Sequence, residues 1–269
     1  MKLKNSYLIL IYCLVGVSCS LESDILSFNK AEEAYQQKLF KKSVRNYENV
    51  IKLDPRSKRA IISAKKAVRI LHFDLLDFEK ATQLYEYLIL NSKEKEEVRV
   101  YQTHIASIFY DKLQNYNRSI NEFNKLLKIE KNTDVQNDIR LKIVKSYFNL
   151  NKFYQAQIEI EKLLKQKIPD TFRFQVLNYR ANIHLTTKEY QKASVILKKL
   201  LSDFPNEKER QNIGISLALC YEELEDLDQS IEILNGIKED YASPDFIELK
   251  IKRLMERKKN LPGARGFLR

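Results

Sequence analysis

The three histidines have the widest chemical range in this chain, since a neutral imidazole can bind a metal or transfer a proton. They are His72, His104 and His184, and none belongs to an HExxH motif or stands near a paired-cysteine metal motif. His72 and His184 each lie nine residues before a recurring small residue, Ala81 and Ala193. This shared position favours packing at a helix interface over metal binding.

Other catalytic groups give no stronger signal. The sequence has no glycine-rich phosphate loop and no GxSxG elbow. Carboxylate pairs such as Glu96-Glu97 and Glu222-Glu223 stand in charge-rich segments, where solvated helix faces explain them. The sequence therefore predicts no catalytic residues, no metal site and no cofactor, and we expect a protein that is not an enzyme.

The elements that position these residues follow from a small residue, here called the marker, that recurs with gaps of 38, 38, 37, 37 and 37 residues. An aromatic residue or leucine stands three residues before each marker, and large apolar or aromatic residues stand four and seven after it. These offsets share one helix face, and a fixed period of this size is typical of a repeat array. The markers are Ser43, Ala81, Ser119, Ala156, Ala193 and Ser230.

A second amphipathic helix precedes each marker helix. Twelve residues before the marker it often carries another small residue, but Arg69 and Val144 depart from this rule. We therefore expect repeats two and four to pack less closely at that point. Four of the five prolines lie 12 to 14 residues past a marker, where proline can end the marker helix.

The pattern resembles the tetratricopeptide repeat over roughly Ser23 to Ala242, because aromatic residues stand three residues before five markers and Pro55 and Pro205 end repeats. The resemblance implies an all-α fold, a helical-hairpin solenoid of about six tetratricopeptide-like repeats with a C-terminal capping helix. The family's period is about 34 residues. We place the three or four extra residues in the loop between units or in a slightly longer helix.

The N-terminus reads as an export signal. Lys2 and Lys4 precede Ser6–Val17, an uncharged and mostly apolar run of 12 residues. A basic N-terminus, a short apolar run and small residues after that run predict a secretory signal peptide. The run is shorter than the roughly 20 residues that a membrane-spanning helix needs.

The C-terminal end of this segment, Val15-Gly16-Val17-Ser18-Cys19, resembles a bacterial lipoprotein signal. That resemblance implies that Cys19 becomes the first mature residue and carries a diacylglycerol; an ordinary signal peptide with an incidental cysteine is the alternative. The predicted organisation is a lipoprotein signal peptide (1–18), a short lipidated tether (19–23), a repeat array (24–242), a capping helix (243–260) and a basic flexible tail (261–269).

The chain is basic, with 47 Lys and Arg against 36 Asp and Glu and a formal charge of +11. An acidic partner would fit this charge, but the basic residues are interleaved with acids through every repeat, which favours solvated helix faces. The tail beyond Lys252 is more strongly basic. It reads either as a solvated segment or as one that docks on anionic lipid or a partner.

Proteins with this repeat bind ligands mainly through the first helix of each unit. Carried over by register, this face suits an extended peptide or a partner helix, because it combines aromatic, amide and cationic groups. The predicted groove residues are Lys66, Ile70, Phe73, Tyr101, His104, Ile108, Leu141, Lys145, Phe148, Asn178 and Asn182.

Together these features predict a protein–protein interaction scaffold, lipid-anchored in the bacterial cell envelope, with the periplasmic side of the outer membrane favoured. The layout of lipoprotein signal plus repeats is similar to that of the D lipoprotein family of the outer-membrane β-barrel assembly machine. An envelope adaptor for cell-wall synthesis, division or surface interaction is the main alternative. A cytoplasmic nucleic-acid-binding solenoid fits the export signal poorly, so we expect no nucleic-acid partner.

Overall fold

The structure is a computed structural model that describes residues 23–205 and 209–260. The predicted signal peptide, Cys19 and the predicted tail 261–269 lie outside the described residues. Every regular element within the described ranges is helical. The helices are α1 (23–36), α2 (Phe40–Leu53), α3 (Lys58–Arg69), α4 (Phe78–Asn91), α5 (Lys95–Ser107), α6 (Tyr116–Ile129), α7 (Thr133–Asn149), α8 (Phe153–Leu164), α9 (Asp170–Thr186), α10 (Tyr190–Asp203), α11 (Arg210–Glu223), α12 (Leu227–Ile237) and α13 (Pro244–Lys259).

The helices form six consecutive hairpins followed by α13. In each hairpin an odd-numbered helix, here called the A helix, precedes an even-numbered B helix. Every B helix begins at the residue three before its marker, so the apolar spacing predicts its first residue. The expected all-α helical-hairpin fold is confirmed. Several A helices begin earlier than their apolar pattern does, as α7 does at Thr133.

The corners between A and B helices share one backbone feature in all six hairpins. The residue five before each marker has a positive φ, between 48° and 62°, although none of the six is glycine. In repeat five, for example, the Lys188 N–H donates to the Leu185 carbonyl and the Glu189 N–H to the His184 carbonyl. This pair of bonds is a Schellman motif, which ends the helix and reverses the chain. The positive-φ residues are Lys38, Leu76, Gln114, Asn151, Lys188 and Glu225.

Repeats two and three differ from the others by a π turn at the end of the A helix. The π turns are Ile70–Asp74 after α3 and Ile108–Lys112 after α5. The closing bond from Asp77 N–H runs to the Leu71 carbonyl, six residues back, whereas the matching bonds in the other repeats span five. One inserted residue therefore sits in each π turn, and it accounts for the two marker gaps of 38 rather than 37.

The π turns correct the expected packing of the small residues. In repeats two and three the residues thirteen before the marker, Val68 and Ala106, are 4% and 0% exposed, and they take the place that counting gave to Arg69 and Ser107. Arg69 is exposed, so it does not break the close contact in repeat two. Val144 is 0% exposed in repeat four and packs in the core. The expectation that Arg69 occupies this contact was wrong, whereas repeats two and four both have a buried valine where the other repeats have alanine.

Two of the serine markers also tie their hairpins by hydrogen bonds. Ser43 Oγ donates to the Ala31 carbonyl and Ser230 Oγ to the Ala218 carbonyl, both at 2.8 Å. Both bonds are buried and join the B helix to the A helix twelve residues earlier. The marker thus permits close approach and, at Ser43 and Ser230, adds a polar contact between the two helices.

The chain divides into two compact units, with the boundary between Ile139 and Arg140 inside α7. The first unit has one large core cluster around Tyr47, Tyr85 and Phe109. The second has three clusters, the last of which includes α13. Ile247, Ile251 and Leu254 of α13 are buried there, whereas Phe246 is 45% exposed.

Candidate functional site

The outward faces of the A helices are the surfaces on which the resemblance places partner contacts. The first face, defined by α1, α3 and α5, belongs to the first unit. Lys66 Nζ of α3 lies 2.8 Å from the carboxylate of Glu32 on α1 and 5.7 Å from the centre of the Phe28 ring. Lys65 Nζ lies 2.6 Å from Glu97 Oε1 on α5. These contacts join successive A helices along the face.

The charges on the first face are set by these pairs. Burial raises the pKa of Glu32, but hydrogen bonds from Lys66 and Tyr47 outweigh it and leave the pKa lowered. The hydrogen bond to Glu97 raises the pKa of Lys65, and the same bond, with one from Ser92, lowers the pKa of Glu97. These shifts favour the charged forms of Glu32, Lys65 and Glu97, so the face carries both signs of charge.

Arg69 adds a cation that these pairs do not neutralise. Its side chain is exposed and makes no ion pair or hydrogen bond with a described residue. Together with Tyr35, Tyr47 and Ile70 it lines a pocket of about 110 Å³. This pocket offers one guanidinium beside two aromatic rings, a combination suited to a small polar or anionic group.

An aromatic cluster extends the first face at the junction of repeats two and three. It consists of His72, Phe73, Tyr85, Tyr101 and His104. The His72 ring stacks on Phe73 with centroids 4.3 Å apart, and the His104 ring stacks on Tyr85 at 4.9 Å. His72 Nδ1 lies 3.0 Å from Tyr85 Oη. Phe73 is 62% exposed, so the cluster presents to solvent an aromatic ring that stacks on His72.

Burial keeps the cluster uncharged. Burial, reinforced by the nearby His104 and Lys112, lowers the pKa of His72, and burial alone lowers the pKa of His104. Burial, with a contribution from Tyr101, raises the pKa of Tyr85 to about 12. At neutral pH the histidines therefore act as aromatic packing groups with hydrogen-bonding nitrogens, and neither is poised as a general base near pH 7.

The π turns also change which residues face outward. Because of the inserted residue, the A-helix residues up to the start of each π turn are shifted by one position relative to the register used to predict the groove. Ile70 and Ile108, which begin the two turns, are only 2% and 1% exposed. Their prediction as groove residues was wrong, because the inserted residue rotates them into the core. Arg69 and Ser107, one residue earlier, occupy the positions predicted for Ile70 and Ile108, and neither is buried. The marker gaps of 38 and the anomalous Arg69 were the sequence signals of this shift.

The remaining first-face predictions stay at the surface. Lys66 and Phe73 are exposed, and Tyr101 and His104 are half-buried within or beside the contacts described above. Sequence reasoning missed Arg69, which it treated as a packing anomaly, and it missed the contact between His72 and His104, whose ring centroids lie 5.5 Å apart. The structure does bring Phe73, Tyr101 and His104 into one cluster.

The second face, on α7 and α9 of the second unit, has its own cluster. Lys145 Nζ lies 5.3 Å from the centre of the Tyr179 ring, and Phe148 meets Tyr179 edge-on at 6.2 Å. Both predicted residues are half-buried and reach the surface. Leu141 is 4% exposed because it packs in the core cluster with Val144, so its prediction as a groove residue was wrong.

The two predicted asparagines lie near this cluster on α9. Asn178 Nδ2 donates to Glu209 Oε2 at 2.9 Å, so part of its amide is already engaged. Asn182 is half-buried, and its backbone carbonyl accepts from Thr186. The second face thus combines a cation, aromatic rings and amides, as the sequence predicts.

His184 has a structural role that differs from that of His72. It is 6% exposed, and its Nδ1 lies 2.7 Å from Glu189 Oε2 across the corner of repeat five. Lys192 and then His184 hold the pKa of Glu189 down at about 2. Because of the π turn, His184 aligns with Leu71 rather than with His72, so the expectation of a shared position was wrong. Its packing role is as expected.

Reactive chemistry has little support among the described residues. No three histidine, cysteine or carboxylate side chains within residues 23–205 and 209–260 are grouped to hold a metal. Burial raises the pKa of the Cys220 thiol to about 11, which leaves it protonated and unreactive. Of the helices that the structure describes, none has the length and apolar character needed to cross a bilayer.

Comparison with known families adds one sequence match. The model of the tetratricopeptide repeat matches residues 216–243. The match runs from α11 through α12, one hairpin of the second unit. With six hairpins of the same geometry, the chain has a tetratricopeptide-like fold. No curated protein has a significantly similar sequence.

Solved structures resemble the chain at low sequence identity. The structure of Naa15/Naa10 bound to HypK-THB aligns with a TM-score of 0.58 and 14% identity, over 87% of this chain and 39% of that one. A tetratricopeptide repeat protein from Parabacteroides merdae aligns with a TM-score of 0.49 and 12% identity, over 88% and 89%. PilW, described as a widely conserved type IV pilus biogenesis factor, gives 0.49 and 12%, over 86% and 98%. At these identities the likeness concerns the fold.

Proposed function

We propose that this chain is a non-enzymatic interaction scaffold that binds protein or peptide partners through the first and second faces. The observation that carries the proposal is the aromatic cluster, in which Phe73 stacks on His72 and is 62% exposed. An aromatic side chain that is already ordered loses little entropy on binding, and such residues are common interface anchors. The ion pairs beside it supply polar groups for a partner's backbone and charges.

The proposal includes a lipid anchor at Cys19. It is supported by the basic start, the 12-residue apolar run and the small residues before the cysteine. A diacylglycerol with a further acyl chain provides the two or more chains that hold a protein stably on a bilayer. The mature chain would then face the periplasm, with the outer membrane favoured.

The specific role that we propose is in outer-membrane protein assembly. It is supported by the combination of a lipoprotein-like signal with tetratricopeptide-like hairpins. In such a role the first and second faces would hold the barrel subunit or another lipoprotein of the assembly machine. An envelope adaptor for cell-wall synthesis or division would use the same faces for different partners.

The anchor is tested by acyl labelling in cells. We expect label in the wild-type chain and in Cys13→Ala, and complete loss of label in Cys19→Ala. Cys13 is the matched control because it lies in the same apolar segment. Wild-type protein that is exported but carries no acyl chain would refute the anchor while leaving the interaction role open.

The partner is tested by photo-crosslinking from inside the proposed faces. A photoreactive phenylalanine at Phe73 or Phe148 should capture a defined partner, whereas the same group at Leu90 should not. Leu90 is the control because it is 84% exposed on the B helix α4. Capture of a barrel-assembly subunit would support the specific role. Capture of wall enzymes alone would refute that role in favour of the envelope adaptor, and equal capture from Leu90 would refute the faces.

A further inference from the structure

The outer side of α13 carries a basic stripe that the first and second faces do not include. The stripe consists of Phe246, Leu249, Lys250, Arg253 and Arg257. Their spacings of three, four, seven and eleven residues from Phe246 to Arg257 place them along one side of the helix. Ile247, Ile251 and Leu254 lie about a third of a turn around the helix from the stripe and pack against the rest of the second unit.

The apolar residues of the stripe project into solvent. Phe246 is 45% exposed and Leu249 is 54% exposed, although the helix has a buried side available for apolar groups. Phe246 stacks on Tyr241 with ring centroids 6.1 Å apart, so one face of its ring contacts Tyr241. Two exposed apolar side chains that share a helix side with a row of cations are a feature of helices that lie in a membrane interface.

The cations of the stripe are mostly free. Lys250 and Arg253 make no ion pair or hydrogen bond with a described residue, and the same holds for Lys252 nearby. Arg257 is the exception, with its Nη1 3.4 Å from Glu222 Oε1. Of the acids on α13, Glu248 is paired with Lys238 on the far side. Asp245 and Glu256 flank Leu249 on the exposed side of the helix that faces away from the buried residues.

Much of the net charge of the sequence lies in the second half of this helix. Residues 250–259 contain six basic residues and one acid, a net charge of +5 compared with +11 for the whole sequence. A helix of 16 residues is about 24 Å long, so its cations are distributed along a line. Anionic lipid headgroups offer the matching distribution of negative charge, and each nearby cation contributes to the attraction.

We propose that α13 docks along the basic stripe on an anionic lipid bilayer. The cations meet the headgroups, and Phe246 and Leu249 enter the boundary between headgroups and acyl chains. An acidic protein surface is the competing occupant. The bilayer is favoured because the exposed Phe246 and Leu249 need an apolar layer beside the negative charges. This contact is independent of lipid on Cys19 and does not use the first or second face.

The first test uses the absence of tryptophan from the sequence. Leu249→Trp in the full chain introduces the sole tryptophan, whose fluorescence emission reports the polarity around residue 249. With vesicles of phosphatidylcholine containing 30% phosphatidylglycerol, roughly the charge that anionic membranes present, we expect a blue shift of its emission. Pure phosphatidylcholine vesicles should produce no shift. Leu90→Trp, at an exposed site on α4, is the control and should not shift with either vesicle.

The second test measures the gain in vesicle binding when phosphatidylglycerol is added, which cancels any contribution from the N-terminal segment. Lys250→Gln with Arg253→Gln should lower this gain by about tenfold or more at low salt. Lys93→Gln with Lys128→Gln removes the same charge from exposed sites in the first unit and should leave the gain unchanged. Circular dichroism checks that both variants remain folded.

Three outcomes would overturn the proposal. One is a wild-type chain that binds both vesicles equally, and another is equal loss in the two charge variants. The third is crosslinking of α13 to an acidic protein without any shift of the tryptophan emission in Leu249→Trp, which would identify the competing occupant. None of these results bears on partner capture from Phe73, so the proposed scaffold function stands or falls separately.

Discussion

Lys188 illustrates strain that recurs at the residue scale, since it adopts a φ of 60° without being glycine. A left-handed conformation costs an ordinary residue about 1–2 kcal/mol, whereas glycine avoids this and loses about 0.5–1 kcal/mol through its freer unfolded chain. We therefore predict that Lys188→Gly raises the free energy of unfolding by up to about 1 kcal/mol. Asn151→Gly should gain less, because asparagine tolerates this conformation. Urea unfolding measures both, and a larger gain at Asn151 would contradict the argument.

Gly214 and Gly236 form a pair that separates helix propensity from packing. Nothing lies within 4 Å of a Cβ added to Gly236, so Gly236→Ala should stabilise the chain by about 0.5–1 kcal/mol. A Cβ on Gly214 would lie 2.8 Å from Ile237 Cγ2. That clash should cancel the gain and make Gly214→Ala destabilising by about 1 kcal/mol or more. Thermal unfolding of the two variants gives opposite shifts if the buried contact is as described.

His72 and His104 predict a pH dependence of stability. Both have a pKa in the folded state below the unfolded value of 6.5, so the unfolded chain binds more protons than the folded chain below that pH. Stability from this source is complete above pH 6.5 and is lost as the pH falls toward the folded pKa values. Carboxylates with a lowered pKa, such as Glu97, stabilise the folded chain above their ordinary pKa of 4.5 and lose this effect only as the pH falls below it. They therefore add little pH dependence between pH 7.5 and pH 5.

The measurement is urea unfolding between pH 7.5 and pH 5. We expect the wild-type chain to lose stability on acidification. His72→Gln combined with His104→Gln should flatten the curve, even though it lowers stability at pH 7.5 by removing the ring stacks. An unchanged slope in the double variant would show that other groups cause the loss.

At the element scale, the sequence predicts B helices better than A helices. The marker pattern locates the first residue of all six B helices, because the aromatic or leucine residue three before the marker is also the residue that packs at the corner. The A helices of repeats two and three were out of register by one residue. Hydrophobic periodicity cannot reveal a π turn, since an inserted residue leaves apolar residues on both sides of it.

The candidate site was predictable from the sequence only in the repeats without a π turn. Lys145, Phe148, Asn178 and Asn182 lie where the register places them, because repeats four and five contain no π turn among the described residues. The aromatic cluster was not predictable, because the turn at Ile70–Asp74 is what brings His72 against Tyr85 and His104. Residues that look anomalous in a regular repeat, such as Arg69, were the clue.

A deletion tests the π turn as an insertion. Removal of His72 should convert the turn to an ordinary helix end and restore a marker gap of 37, with a loss of stability below about 2 kcal/mol. Removal of Lys145 from α7, which has no inserted residue to lose, should rotate Leu141 and Val144 out of the core and cost about 3 kcal/mol or more. Equal losses in urea unfolding would show that the π turn cannot absorb a residue.

At the scale of the whole molecule, the sequence suggested one continuous array, whereas the contacts form two compact units. In repeat proteins each hairpin is stabilised mainly by its immediate neighbours, so a local defect need not unfold distant hairpins. Cys220 can report this, because it is 0% exposed in the second unit and burial raises its pKa to about 11. With Cys13 and Cys19 replaced by serine, Cys220 is the sole thiol.

Two buried alanines supply the matched defects. Ala64 in the first unit and Ala193 in the second are both 0% exposed, and aspartate at either position buries an unpaired charge. We predict that Ala193→Asp raises the rate of Cys220 labelling by a thiol reagent by at least about tenfold, since even 1.4 kcal/mol of lost protection has that effect. Ala64→Asp should change the rate far less, although circular dichroism records loss of helix. Equal acceleration by the two substitutions would mean that the chain opens as one cooperative body, because only then does a defect in the first core expose a thiol in the second.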